Sequence, residues 1–182
     1  AHVPELTKAL RVGPESAGAV PGPAAYDKGG ENPTVTDANV VLGYLPENQK
    51  LGGDMNIRKD LAEKAVQKVA DALGLTVNEA AEGIVKIVNE RMFGAVRLVS
   101  IEKGYDPRDF SLMAFGGAGP LHANALGELT QSWPVIVPPG PGILCAYGDA
   151  TTRLRNEASK TIIVNMKNAD GGKIAKDLGE LA

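Results

Sequence analysis

Between Phe110 and Pro138 the sequence changes character three times, and few folds accommodate that order. "FSLMAF" is apolar and reads as a strand. Gly116, Gly117 and Gly119 then interrupt it, "GPLHANALGEL" reads as a short helix, and "WPVIVP" is apolar throughout. Strand, turn, helix, strand is the pattern of an α/β unit. An uninterrupted apolar run predicts that the second strand is buried on both faces. The alternation goes on: "PPGPG" is a rigid turn, "ILCAYGDATTRLRNE" is expected to be helical and "SKTIIVNM" to be a strand. The final "KNADGGKIAKDLGELA" begins with a turn and starts another helix.

Upstream the pattern is helical. Thr76 and Glu79 form a T-x-x-E capping box. From there Ala80, Ile84, Ile87, Val88, Met92, Ala95, Val96 and Val99 keep a helical period to about Lys103, with Gly104 and Pro107 as stop signals. So wide an apolar face predicts a largely buried helix. Gly83 and Gly94 inside it predict the close approach of another backbone. Residues 57–73 form a second helix, with Leu61, Ala65, Val69 and Leu73 as its stripe, Asn56 or Asp54 as cap, Asp60 and Lys64 as an i,i+4 pair, and Gly74 as its end. Residues 1–56 are too rich in glycine and proline for long elements, yet not disordered in composition, and read as an ordered, loop-rich segment. Within them "PTVTDANVVLGYL" reads as a short strand or a helix, and for the helix Asp37 is placed to cap Ala38–Leu42, ended by Gly43.

Composition excludes several functions. The net charge of −3 gives no basic field for nucleic acid, and no apolar run approaches the length of a membrane span. The single cysteine, Cys145, forms no internal disulfide and points to a reducing, cytoplasmic setting, with its apolar neighbours predicting a core position. Two histidines and one cysteine are too few for a typical zinc site, so no metal ligands are assigned. Arg153 and Arg155 are expected on a solvated face, and Trp133 at a strand edge.

The glycine turn is the first candidate site. The opening N–H groups of a helix have no internal partner, and the helix dipole adds about half a positive charge there. Glycine lets a ligand reach that backbone, and Pro120 suits the first helical position. Two phosphate fingerprints nevertheless fail. No lysine follows Gly119 as in a Walker loop, and G-x-G-x-x-G would put its third glycine at His122. From the glycines alone, phosphate binding and a merely tight turn stay equally open.

"RVGPESAGAVPGPAAY", "PTVTDANVVLG", "YDPRDFSLMAFGGAGPLHA" and "VIVPPGPGILCAYG", in that order, resemble the hydantoinase A/5-oxoprolinase family from about Val3 to Val164. The resemblance implies an ATP-dependent, Mg2+-using enzyme that opens cyclic amides, or a related subunit of a ketone carboxylase. It implies part of a ribonuclease-H-like domain of the actin and sugar-kinase kind, with Gly116, Gly117 and Gly119 on the nucleotide. It divides the chain into a loop-rich segment 1–56, a nucleotide-cleft subdomain 57–164, and 165–182 as a linker or the start of the next segment. The family's acidic, glycine-rich phosphate loop is missing here and its members are several times longer. The chain is therefore expected to be an internal fragment, inactive alone and prone to self-association, from a parent that works with a B-type subunit.

Four side chains are further candidates. Asp37 is a candidate catalytic carboxylate, against the reading as a helix cap. His122, in the first turn after Gly119, is a candidate acid, base or phosphate contact, its cation disfavoured by the helix N-terminus. Glu15 and Ser16 lie in the stretch that resembles the family's cleft-facing loop. There ring opening needs a base and donors for the oxyanion, a role open to backbone amides beside Gly13 and Gly18. A non-catalytic interaction module of the same fold is the competing reading. A dinucleotide-binding domain is disfavoured by the failed third glycine.

Overall fold

The computed structural model describes residues 1–48 and 50–181. They form two compact units, Ala1–Leu144 and Cys145–Ala182. The architecture is mixed but mostly helical, with few strands.

Three helices carry the core of the first unit: α1 (Val35–Val41), α2 (Lys59–Leu73) and α3 (Val77–Val99). Thr34 caps α1: its hydroxyl accepts from the Asp37 amide, and the Asp37 carboxylate accepts in return from the Thr34 amide. The expected cap at Asp37 is thus corrected by three residues, because Thr34 takes the extended conformation and Asp37 lies inside the first turn. In α2 neither Asn56 nor Asp54 is the cap. Arg58 stands there, its amide donating to the Ala25 carbonyl at 2.9 Å and its guanidinium bridging Asp27 and Asp60. The i,i+4 ion pair of α2 is Lys59–Glu63, not Asp60–Lys64. Its buried face is two adjoining stripes, Ala62, Val66 and Ala70 beside Ala65 and Val69, with Leu61 and Leu73 at the margins.

The capping box of α3 is in place, and a 3-10 turn over Ile101–Lys103 carries the chain to Gly104 in the left-handed region. Only the first half of α3 is well buried. Ala80, Ala81 and Ile84 are sealed, whereas Leu98 and Val99 are exposed. The expected backbone contacts at its glycines are not found. A Cβ on Gly94 would meet nothing, and one on Gly83 would make an ordinary contact with the Leu10 side chain. Small residues at the α1–α2–α3 crossings leave Ile84, Val40 and Val66 as the largest sealed apolar side chains, each contributing roughly 1.5–3 kcal/mol of burial.

The alternation after Phe110 folds as one β–α–β unit. Strands β1 (Leu112–Met113) and β2 (Val135–Ile136) pair in parallel, Leu112 opposite Val135, with α4 (Gly119–Thr130) between them. Helix α4 lies so near β2 that a Cβ on Gly127 would stand 2.5 Å from Val135 Cγ2. Burial of the strands on both faces is not realised. Met113, Phe115, Ile136 and Val137 are all exposed, because α4 covers the pair and no second layer among the described residues covers the rest. Trp133 is likewise half exposed beside β2. Pro120 occupies the second helical position, Gly119 the first.

In the second unit the expected helix stops early: α5 (Leu144–Thr151) ends six residues before Glu157. "SKTIIVNM" forms no strand, since no partner strand is present among the described residues, and Ile163 is exposed. The closing helix α6 (Gly171–Leu181) does form. Cys145 is exposed rather than in a core. No helix among the described residues is long and apolar enough to cross a membrane.

Candidate functional site

Loop 12–18, segment 32–36 and one face of α3 enclose a cleft of about 780 Å³ within the first unit. Glu15 and Ser16 lie on its wall, facing a lining that includes Thr34, Thr36, Val88 and Arg91. The loop turns twice through the left-handed region, at Gly13 and Gly18, where a side chain would be strained. The Ser16 hydroxyl oxygen accepts from the Gly18 amide at 3.1 Å. That amide, one of the expected oxyanion donors, is therefore engaged, while the Ser16 O–H remains able to donate. Arg91, Thr34 and Thr36 were not singled out from sequence. Only the recurrence of Val88 and Arg91 at i, i+3 on the helix carrying the predicted face hinted that the arginine shares a side with core residues.

Asp37 sits behind this wall, fully buried. Its carboxylate accepts from the amides of Ala25 (2.8 Å), Ala24 (3.4 Å) and Thr34 (2.9 Å), and from the Thr34 hydroxyl (2.7 Å). Those four donors use its lone pairs. It ties the 3-10 turn at Ala24–Tyr26 to the start of α1 and so fixes Thr34 at the cleft margin. Direct contact with a ligand has no surface to act through here, so the geometry describes an anchor beneath the site.

The glycine turn lies apart from the cleft lining. Of its three glycines only Gly116 has a left-handed backbone, and its N–H is spent on the Pro141 carbonyl at 2.8 Å. A Cβ on Gly117 would project into open space. Turn geometry thus accounts for Gly116 and leaves Gly117 sterically unexplained, its backbone open to approach. His122 points elsewhere. It is buried against α3, with Nδ1 2.7 Å from Asn89 Oδ1. A carbonyl oxygen only accepts, so Nδ1 carries the proton. Burial holds the imidazole below its ordinary pKa, which replaces the helix N-terminus as the cause. No group of three or more His, Cys, Asp or Glu among the described residues is arranged to hold a metal ion.

The geometry can be set against known proteins. The family model described as Hydantoinase/oxoprolinase matches residues 2–158. The crystal structure of the ATP-dependent caprolactamase from Pseudomonas jessenii superposes with a TM-score of 0.75 at 48% identity, covering 81% of this chain and 21% of that one. The acetophenone carboxylase gamma subunit of Aromatoleum aromaticum is 48% identical over 143 residues, 78% of this chain and 19% of its own length. 5-oxoprolinase 1 of Arabidopsis thaliana is 38% identical over 157 residues, 77% of this chain and 12% of its own. The chain spans about a quarter or less of the length of the curated relatives it matches. With the model match running through both the Gly13–Gly18 loop and the glycine turn, the chain belongs to the hydantoinase/oxoprolinase family.

Proposed function

We propose that this chain forms part of an ATP-dependent enzyme that opens cyclic amides. In this reading segment 1–56 supplies the substrate loop and 57–164 part of a nucleotide cleft of ribonuclease-H-like kind, with 165–182 as a linker. The observation that carries it is the likeness to the caprolactamase at 48% identity over 81% of this chain, together with a family match over residues 2–158 that takes in both candidate regions.

A ring amide is a weak electrophile, and ATP, when bound, supplies the phosphoryl group that activates it. The residues of this chain act around that step. Glu15 and the Ser16 O–H stand on one wall of the cleft, where a carboxylate can take a proton from attacking water and a hydroxyl can donate to a developing oxyanion. Asp37 keeps Thr34 and the adjoining wall in place. Gly117 and Gly119 give a nucleotide close access to the backbone before α4, and His122, through Asn89, fixes α4 against α3. The described residues offer no carboxylate cluster for Mg2+, and no step here is assigned to it. A B-type subunit is the proposed partner of the whole protein, in line with the subunit designations of relatives.

A second reading, a subunit of an ATP-dependent ketone carboxylase, is favoured by the 48% identity to the acetophenone carboxylase subunit. One assay separates them. ATP hydrolysis by the full-length polypeptide, with and without the proposed partner, is measured with a lactam panel and with ketone plus bicarbonate. Lactam-stimulated turnover with ring-opened product supports the first reading. Ketone-dependent turnover supports the second, and stimulation by neither overturns both.

A further inference from the structure

Helix α3 serves both candidate regions. Its residue Val88 lines the cleft beside the Gly13–Gly18 loop. The next residue, Asn89, lies outside that lining and reaches His122 in the first turn of α4, three residues after Gly119. Among the described residues this is the one hydrogen bond between 1–99 and 110–137. Elsewhere α3 and α4 meet by packing alone. Packing is non-directional, whereas a hydrogen bond fixes an angle as well as a distance. Asn89 is 8% and His122 6% exposed, so a relative shift of the two helices would leave both groups buried and unpaired.

We propose that Asn89 is a positioning residue that joins the cleft to the glycine turn, so that a ligand at one changes the affinity at the other. Through His122 it sets the angle at which α4, with the glycine turn before it, stands to the cleft wall. The Nδ1–H of His122 donates to the Asn89 Oδ1 at 2.7 Å. A ligand that displaces α3 at Val88 therefore carries α4 with it or breaks this bond. The reverse holds for a ligand that displaces α4 from the side of the glycine turn, because coupling between two binding sites is reciprocal. The identities of the two ligands rest on the ring-opening reading above. The joint itself rests on the hydrogen bond.

The test measures, by calorimetry on the full-length polypeptide, the affinity for the non-hydrolysable β,γ-imido analogue of ATP with and without saturating caprolactam. In the wild type caprolactam changes that affinity about fivefold or more. Asn89→Leu keeps roughly the volume and removes the acceptor. It brings the factor to about one and leaves each ligand's separate affinity within about threefold. Asn89→Asp, which keeps an oxygen acceptor, restores most of the factor. A merely structural residue would alter the separate affinities or the melting curve and leave the factor in place. If Asn89→Leu does not fold, Asn89→Ala takes its place. A factor near one in the wild type, a factor that survives loss of the acceptor, or no restoration by Asn89→Asp overturns the proposal. Lactam-stimulated ATP turnover with a factor near one would overturn the joint and leave ring opening standing. A factor lost in Asn89→Leu, without ring-opened product, would do the reverse.

Discussion

The helical half of the first unit and the β–α–β unit that follows it solve the burial problem differently. From Val12 to Ile84 the chain seals its own core, with small residues letting α1, α2 and α3 pack closely. After Ile84 the buried apolar side chains among the described residues are small, Pro107, Ala114 and Ala123, while Phe110, Met113, Phe115, Trp133, Ile136 and Val137 face outward. A parallel strand pair covered on one side leaves its apolar residues bare. The contrast teaches that the region of the Gly13–Gly18 loop stands on a core of its own, and that the glycine turn is mounted on a unit needing further cover. Self-association through that surface is the expected consequence, and sedimentation of the chain as a strict monomer at high concentration would contradict it.

Removing the anchor of the helical half has the largest expected effect. Asp37→Ala strands buried amides of Ala24, Ala25 and Thr34 and is expected to cost about 3 kcal/mol or more in urea unfolding. Next comes a matched pair of truncations. Ile84→Ala in the sealed core is expected to cost about 2–5 kcal/mol, and Ile136→Ala on the exposed strand under about 0.5 kcal/mol. Equal losses would erase the contrast between the regions. Gly127→Ala forces a methyl into the Val135 side chain and is expected to cost about 1–3 kcal/mol. Hydrogen exchange should then speed up over 112–136 and remain slow in α2. Gly116→Ala, at a left-handed position, should cost about 1 kcal/mol, and Gly117→Ala close to nothing, so any loss of nucleotide affinity in the latter is a functional effect.

The smallest effect is a pH dependence. The folded state holds His122 below the ordinary histidine value, so the unfolded chain takes up its proton first as pH falls. The contribution of neutral His122 is full above about pH 6.5 and is lost as pH falls from there toward the folded-state value. Denaturant titrations between pH 7.5 and 5.5 should show that slope in the wild type and a shallower one in His122→Gln.

What was legible in the sequence follows the same divide. The Thr76–Glu79 box, the Gly74 and Gly104 stops and the strand–turn–helix–strand order are local signals, and they stand in the structure. The Arg58 start of α2 was illegible because it depends on a contact with Ala25, more than thirty residues away. "SKTIIVNM" carries strand propensity without a partner to pair with. Glu15 and Ser16 were singled out through a family motif, and both line the cleft. The place of the exposed Arg91 beside Gly13 was hidden, because only the fold brings the two together. Asp37 was located, but its four donors come together only in three dimensions.

The most direct test of this division of labour is hydrogen exchange on the full-length polypeptide with ATP and a lactam added separately. ATP should slow exchange across Ala114–Leu121, and the lactam across 12–18 and 32–36. Protection of neither region, or of the two regions in the opposite order, would contradict the account.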